Sequence, residues 1–214
     1  MIIEFIGFPG SGKSFLANKL YREFKKTKKE IIFENKLKLN LLNKIYLLIK
    51  FIIKNPLYIF TLPIINFKNR RFLNPIWQIK NHRWILNEII FFEYCKNKNR
   101  ILIRSEGLHH RLLFLLVGID KKNFNFFEKI LIQYTPIPDK LIMIDIPLKK
   151  SIQNTIKRNR GFKYDNQTRS YLKKQSYIFN KIKSFFNRFY KSKFILIKEI
   201  KFQNKHIKNL RNYI

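Results

Sequence analysis

Short, unbroken apolar runs alternate along this chain with longer stretches in which apolar residues recur every third or fourth position. Ile2 to Ile6, Ile31 to Phe33, Arg100 to Ile103, Lys140 to Ile146 and Lys193 to Ile197 are runs of the first kind, each flanked by polar or turn residues. Such runs suit strands buried on both faces of a parallel sheet. Lys13 to Lys26 is of the second kind, with Phe15, Leu16, Leu20 and Phe24 spaced to face inward from one helix. Helical stretches of about ten or more residues separate the runs, and that alternation predicts an α/β fold: about five parallel strands with helices on both faces, in three layers.

One segment breaks the pattern. Leu37 to Phe67 is very apolar yet interrupted by Lys44, Lys50, Lys54, Pro56 and Pro63, and it reads as an insertion between sheet elements. On a helical wheel Asn40, Asn43, Lys44, Lys50 and Lys54 fall within one arc, leaving a broad apolar face of Leu41, Leu42, Ile45, Leu48 and Ile52. The expectation is a helix packed on the domain. A basic helix on an anionic membrane surface and a lid over substrate are the other readings. No uninterrupted run reaches the roughly 18 apolar residues of a membrane span. The 214 residues fit a single domain over 1–214, without repeat or linker, in which 37–95 is a helical insertion bearing an acceptor region.

Composition narrows the function classes. Hydrophobic residues make up 46% of the chain and Phe alone contributes 22, so it is globular rather than disordered. The net charge of +32 points first to nucleic acid or anionic lipid. Lys, however, is spread over the whole chain with Asn, Ile and Phe raised beside it. That is compositional drift giving a solvated basic surface, whereas specific phosphate recognition favours clustered Arg. No dedicated nucleic-acid site is predicted. Cys95 is the only cysteine, which rules out an intramolecular disulfide and suits a small core residue in a cytoplasmic protein, with peripheral membrane contact as the variant reading. Glu4 interrupts the apolar run MIIEFIG, which is read as a first strand rather than a signal peptide or anchor.

The residues GFPGSGKS satisfy G-x-x-x-x-G-K-[ST], with Gly7, Gly12, Lys13 and Ser14 at the fixed positions. A strand precedes them and a helix follows, so the loop amides and the helix N-terminus converge where a phosphate chain sits. The expected nucleotide cradle runs Gly7, Phe8, Pro9, Gly10, Ser11, Gly12, Lys13, Ser14 and Phe15. Three of the chain's six glycines lie in it, because a Cβ there would hold phosphate away from the backbone. Lys13 is expected to reach the β and γ phosphates of ATP. Ser14 offers a hydroxyl to Mg²⁺, which prefers hard oxygen ligands.

Two further glycines mark candidate sites. Gly107 follows Glu106 at the end of ILIRSEG, where a carboxylate would bind Mg²⁺ through water or take the acceptor's proton. The other reading of Glu106 is a surface carboxylate capping a helix that starts near Leu108. Gly161 ends KRNRG, after a helix that begins beyond Pro147 with Ile152 and Ile156 inward. Arg158 and Arg160 sit where that helix gives way. They suit either a lid over 148–165 that neutralises the transferring phosphoryl group or a solvated basic helix end.

With these motifs in this order the chain resembles the P-loop kinases of the nucleoside monophosphate kinase group, most nearly the thymidylate-kinase-like members. The parts that carry the resemblance are GFPGSGKS, RSEGLHHR, PDKLIMIDIP and the helix leading to KRNRG. It implies a P-loop NTPase fold with an arginine-bearing lid, and a substrate-binding Arg shortly after the acidic turn, which falls on Arg111. Arg83 is a second acceptor candidate, because a cation within the seam Ile76, Ile79, Leu86, Ile90 needs an anionic partner; a structural pair with Glu88 or Glu93 is the other reading. The chain departs from thymidylate kinases in having Arg104, Ser105, Glu106 in place of Asp-Arg, a glutamate more like that of deoxynucleoside kinases. Gln153 and Asn154 stand where the lid helix often carries another arginine.

Lesser signals complete the reading. His109 and His110 lack companions at metal-ligand spacing. Asp145 is either a second metal-shell carboxylate or a helix-start residue, while Trp77 and Trp84 read as core. The expected activity is Mg²⁺-dependent transfer of the γ-phosphoryl group of ATP to a small nucleotide, nucleoside or sugar. A P-loop ATPase or nucleotide switch is one rival. A polyanion- or membrane-surface protein with accessory nucleotide binding is the other.

Overall fold

The computed structural model describes residues 1–26, 30–33, 39–57, 60, 63–64, 75–96, 100–116, 135–158 and 169–198. Five strands form one parallel sheet: β1 (Ile2–Gly7), β2 (Glu30–Phe33), β3 (Arg100–Arg104), β4 (Lys140–Ile144) and β5 (Phe194–Ile197), in the spatial order β2-β3-β1-β4-β5. From β1 the chain crosses to the edge as β2, fills the gap with β3, and then builds toward the other edge through β4 and β5. The carboxyl end of β1 is therefore the switch point at which open α/β sheets bind ligands. The glycine loop leaves the sheet there.

Period-two alternation on fully buried strands gives each face its own apolar set. Ile3 and Phe5, with Ile101, Ile103, Ile142 and Ile144, meet Leu16, Ala17, Leu20 and Phe24 of α1 (Lys13–Phe24). The opposite face, with Ile2, Ile6, Leu102, Leu141 and Met143, is covered by three helices. These are α3 (Pro75–Lys96), through Ile85, Ile89 and Cys95; α4 (Leu108–Leu116), through Leu108 and Leu112; and α6 (Arg169–Phe189), through Phe179, Ile182 and Phe186. Between β4 and α6 lies α5 (Leu148–Arg158). Within the insertion, α2 (Leu41–Lys54) begins at Asn40, whose side chain accepts from the Asn43 amide at 2.9 Å.

The strands fall where the apolar runs place them, within one or two residues. Three packing expectations change. Phe15 is 46% exposed rather than inward, because Leu16, Leu20 and Phe24 already complete the α1 stripe. On α2 the buried contact is Phe51, and the expected face is open at Leu41, Leu42 and Ile45. The helix lies against α3. Trp84 is half-buried at a cavity rim rather than in the core, and the Trp77 side chain lies outside the described residues.

Candidate active site

The loop between β1 and α1 forms a preorganised anion cradle. Gly10 and Gly12 hold φ of 78° and 93°, a region open to glycine but costly for other residues. A Cβ on Gly7 would lie 2.7 Å from Ser11 Oγ and 2.8 Å from the Ile144 carbonyl. The Ser11 amide donates to Phe8 O at 3.1 Å, which curls the loop; the Leu16 amide donates to Gly12 O, also at 3.1 Å, and leaves the earlier α1 amides for a ligand. Ser11 Oγ is buried and has no hydrogen-bond partner among the described residues. Lys13, 4% exposed, folds back so that Nζ donates to Gly7 O at 3.0 Å and Phe8 O at 2.9 Å. Buried ammonium and orphan hydroxyl are what a phosphate chain would satisfy. Ser14 is exposed beside them, a hard oxygen donor suited to Mg²⁺.

The lid candidate is joined to this loop from behind. Ser151 Oγ donates to Pro9 O and Asn154 Nδ2 donates to Gly10 O at 3.0 Å. A Cβ on Gly10 would run into the Ser151 carbonyl. Phe8 contributes only backbone to the cradle, since its ring lies in the core with its centroid 4.4 Å from that of Phe179.

At the carboxyl end of neighbouring β3, the turn Ser105–Glu106 opens onto a cavity of about 540 Å³ between α2, α3 and α4. Glu106, 42% exposed, pairs with Arg111 Nη2 at 3.2 Å and lies 3.8 Å from His110 Nε2. The Arg111 guanidinium also sits 4.4 Å from the Trp84 ring centroid, a cation–π contact that fixes its plane. Deeper in the wall Arg104 and Glu88, each 4% exposed, form a two-point ion pair, with Nε to Oε2 at 2.8 Å. Burial outweighs the Arg104 attraction and pushes the Glu88 carboxyl up to about 7. Arg83, Lys80, Lys44 and Asn87 complete the basic, polar rim.

Beneath the Glu106 turn, Glu4 on β1 is fully buried and receives His109 Nδ1 at 2.9 Å and the His110 amide at 3.0 Å. Burial lowers the His110 imidazole well below its ordinary range, and the charges of Lys13 and Arg111 lower it further. Cradle and cavity thus act on one side chain. Burial and the Glu4 charge together raise the Tyr190 hydroxyl, which lies 3.4 Å from His109 Nε2.

Among the predicted residues, Lys13, Ser14, Glu106 and Arg111 are thus gathered at the carboxyl ends of the two adjacent strands. Arg83 reaches the same cavity rim, and its side chain is exposed. The suggested Arg83–Glu88 pair does not form, for Glu88 is held by Arg104. Asp145 is bound to Lys183, which fits a structural anchor between β4 and α6. Arg158 is the last residue of α5, its side chain outside the described residues; Arg160 and Gly161 lie outside them entirely. Sequence reading passed over the Glu88–Arg104 pair, although Arg104 at the very end of a buried strand was a signal that some carboxylate must meet it.

No protein-family model matches the chain, and no curated protein sequence matches it. Solved structures do. Deoxyadenosine kinase from M. mycoides with bound dATP aligns over 99% of this chain and all of its own, at 18% identity and a TM-score of 0.57. The same enzyme with products dCMP and a flexible dCDP aligns over both full chains at 17% identity and a TM-score of 0.55. With bound dCTP it aligns over both full chains at 17% identity and a TM-score of 0.52. The alignments cover almost the whole chain, and the likeness establishes that this chain has the fold of those kinase structures.

Proposed function

We propose that the chain, acting as one P-loop unit, transfers the γ-phosphoryl group of ATP to a hydroxyl of a nucleoside or a closely related small acceptor. The observation that carries this is the juxtaposition of a glycine cradle holding a buried Lys13 with a cavity whose mouth bears Glu106 and Arg111. Neighbours that carry dATP, dCTP and dCMP on the same fold support a deoxynucleoside as the acceptor class over a sugar.

In this reading the cradle amides and Lys13 bind the β and γ phosphates, Lys13 exchanging the Gly7 and Phe8 carbonyls for phosphate oxygens. Ser14, with Glu106 through water, would hold Mg²⁺, which when bound neutralises phosphate charge. The acceptor oxygen attacks the γ phosphorus and the bond to the β-bridging oxygen breaks, releasing ADP. Glu106 takes the acceptor's proton, and Arg111, fixed on Trp84, orients the acceptor. Arg83 contributes at the rim. Arg158 and Arg160, on a lid spanning 148–165, neutralise the equatorial oxygens. In the same reading the buried Glu88–Arg104 pair, part of the cavity wall, would meet polar edges of a base.

The test is ADP release from Mg²⁺-ATP across nucleosides, nucleoside monophosphates and sugars, with Lys13→Ala and Glu106→Gln beside the wild type. Stimulation by one deoxynucleoside, abolished in both variants, is the expected result. ATP binding with turnover indifferent to every acceptor would replace the kinase by a nucleotide switch.

A further inference from the structure

The insertion helix α2 turns one row of its apolar residues away from the protein. Leu42, Tyr46, Ile49 and Ile53, spaced four, three and four apart, are 76%, 64%, 50% and 74% exposed, and Ile45 beside them is 46% exposed. That spacing is one face of a helix. Beyond Asn55 the exposure continues at Leu57, 54%, and Phe60, 71%. Scattered exposed apolar residues are ordinary, but a contiguous row of this length marks a contact surface. The opposite edge of the helix is buried at Phe51, and α2 lies against α3.

Charge identifies the occupant. Between Glu34 and Glu88 every charged residue is a lysine or arginine, and Lys50 and Lys54, four apart, follow one border of the exposed row. A second copy of this chain would bring the same lysine-bordered face to the contact and neutralise nothing. A lipid surface with anionic headgroups supplies both halves of the match: acyl chains for the row, and negative charge for lysines whose stems reach up from it. No helix among the described residues is long and apolar enough to cross a membrane, and an in-plane helix needs none. We infer that α2 is an interfacial helix that docks the protein on anionic membrane, with Leu42, Ile49 and Ile53 entering the acyl boundary and Lys50 and Lys54 at the headgroups.

Because so basic a protein can adhere to anionic vesicles by charge alone, the decisive variant changes apolar residues. Leu42→Ser/Ile49→Ser/Ile53→Ser alters exposed positions only, and its circular dichroism and ATP binding should match wild type. The experiment is co-sedimentation with phosphatidylcholine vesicles, with and without phosphatidylglycerol, at physiological salt. A Tyr46→Trp reporter is read in parallel. Expected are binding that requires phosphatidylglycerol, a blue shift of the reporter on binding, and at least about a tenfold loss of partitioning in the triple variant. Equal binding by the triple variant, or a reporter that stays in water, would show adhesion by charge alone and overturn the inference. No binding by the wild type would overturn it too. A wild-type dimer in light scattering that the triple variant converts to monomer would assign the face to a second copy instead.

Discussion

Glu4 and His109 are 105 residues apart in sequence and meet in the interior, carboxylate to Nδ1 at 2.9 Å. The other Glu4 oxygen accepts the His110 amide at 3.0 Å, so one strand carboxylate caps the first turn of α4 from below. It does so directly beneath Gly107, where a Cβ would lie 2.7 Å from two Glu4 carbons. The turn that presents Glu106 is therefore set by a buried polar network rooted in the strand that leads to the glycine loop.

The first prediction follows from that geometry. Glu4→Ala strands His109 and the His110 amide without their acceptor and should cost about 2–4 kcal/mol of unfolding free energy, more than Glu4→Gln, which keeps one carbonyl. Gly107→Ala should cost about 1–3 kcal/mol by overpacking against Glu4. Urea unfolding checks the series. If Gly107→Ala is neutral, the Glu4 carboxylate is not where this structure puts it.

Glu88 predicts a pH dependence. Its folded value, about 7, stands above the ordinary 4.5, because burial outweighs Arg104. A raised carboxyl holds its proton better folded than unfolded, so its contribution is complete below about 4.5 and is lost as pH rises through about 7. Glu88→Gln should flatten that decline in a stability–pH profile across the same window, while leaving the alkaline side unchanged.

His110 works in the opposite sense. Its folded value is depressed well below 6.5 by burial, then by Lys13 and Arg111, so the unfolded chain takes up a proton that the folded chain refuses. Stability present above about 6.5 is lost as pH falls. His110→Gln should remove this acid-side loss, and the comparison with Glu88→Gln separates two slopes that oppose one another between 4.5 and 6.5. An unchanged acid limb in His110→Gln would mean that the imidazole titrates normally.

The sheet was legible in the sequence because buried parallel strands leave uninterrupted apolar runs, and the glycine loop because its fixed residues serve backbone geometry rather than distant partners. Phe15 and the α2 face were misread for one reason: periodicity says which residues share a face, not whether the protein has anything to put against it. Arg104 signalled only that some carboxylate must meet it; that the carboxylate is Glu88, like the pairing of Glu4 with His109, was not legible, since partners 16 and 105 residues apart are brought together only by the packing of α3 and α4 on the sheet. Glu4 looked only like an interruption of an apolar run. It was the carboxylate that α4 required.

The loop's attachment to α5 carries the last prediction. Phosphate binding by backbone amides needs the peptide planes turned with N–H toward the cradle, which directs their carbonyls outward. Ser151 holds the Pro9 carbonyl outward, in the plane that carries the Gly10 N–H, and Asn154 holds the Gly10 carbonyl at 3.0 Å, in the plane whose Ser11 N–H closes the loop's turn onto Phe8 O at 3.1 Å. Removing these donors leaves Lys13 and the glycine geometry intact but releases the planes, so binding must then select the cradle conformation from a wider set. Asn154→Ala should weaken ATP binding by roughly tenfold, about 1.4 kcal/mol, and Ser151→Ala/Asn154→Ala by more. Unfolding free energy should change by less than about 1.5 kcal/mol for each donor lost. Isothermal titration with ATP decides it. Wild-type affinity in the double variant would mean that the glycines alone shape the cradle. A stability loss that outruns the affinity loss would make the contact ordinary packing between α5 and the loop.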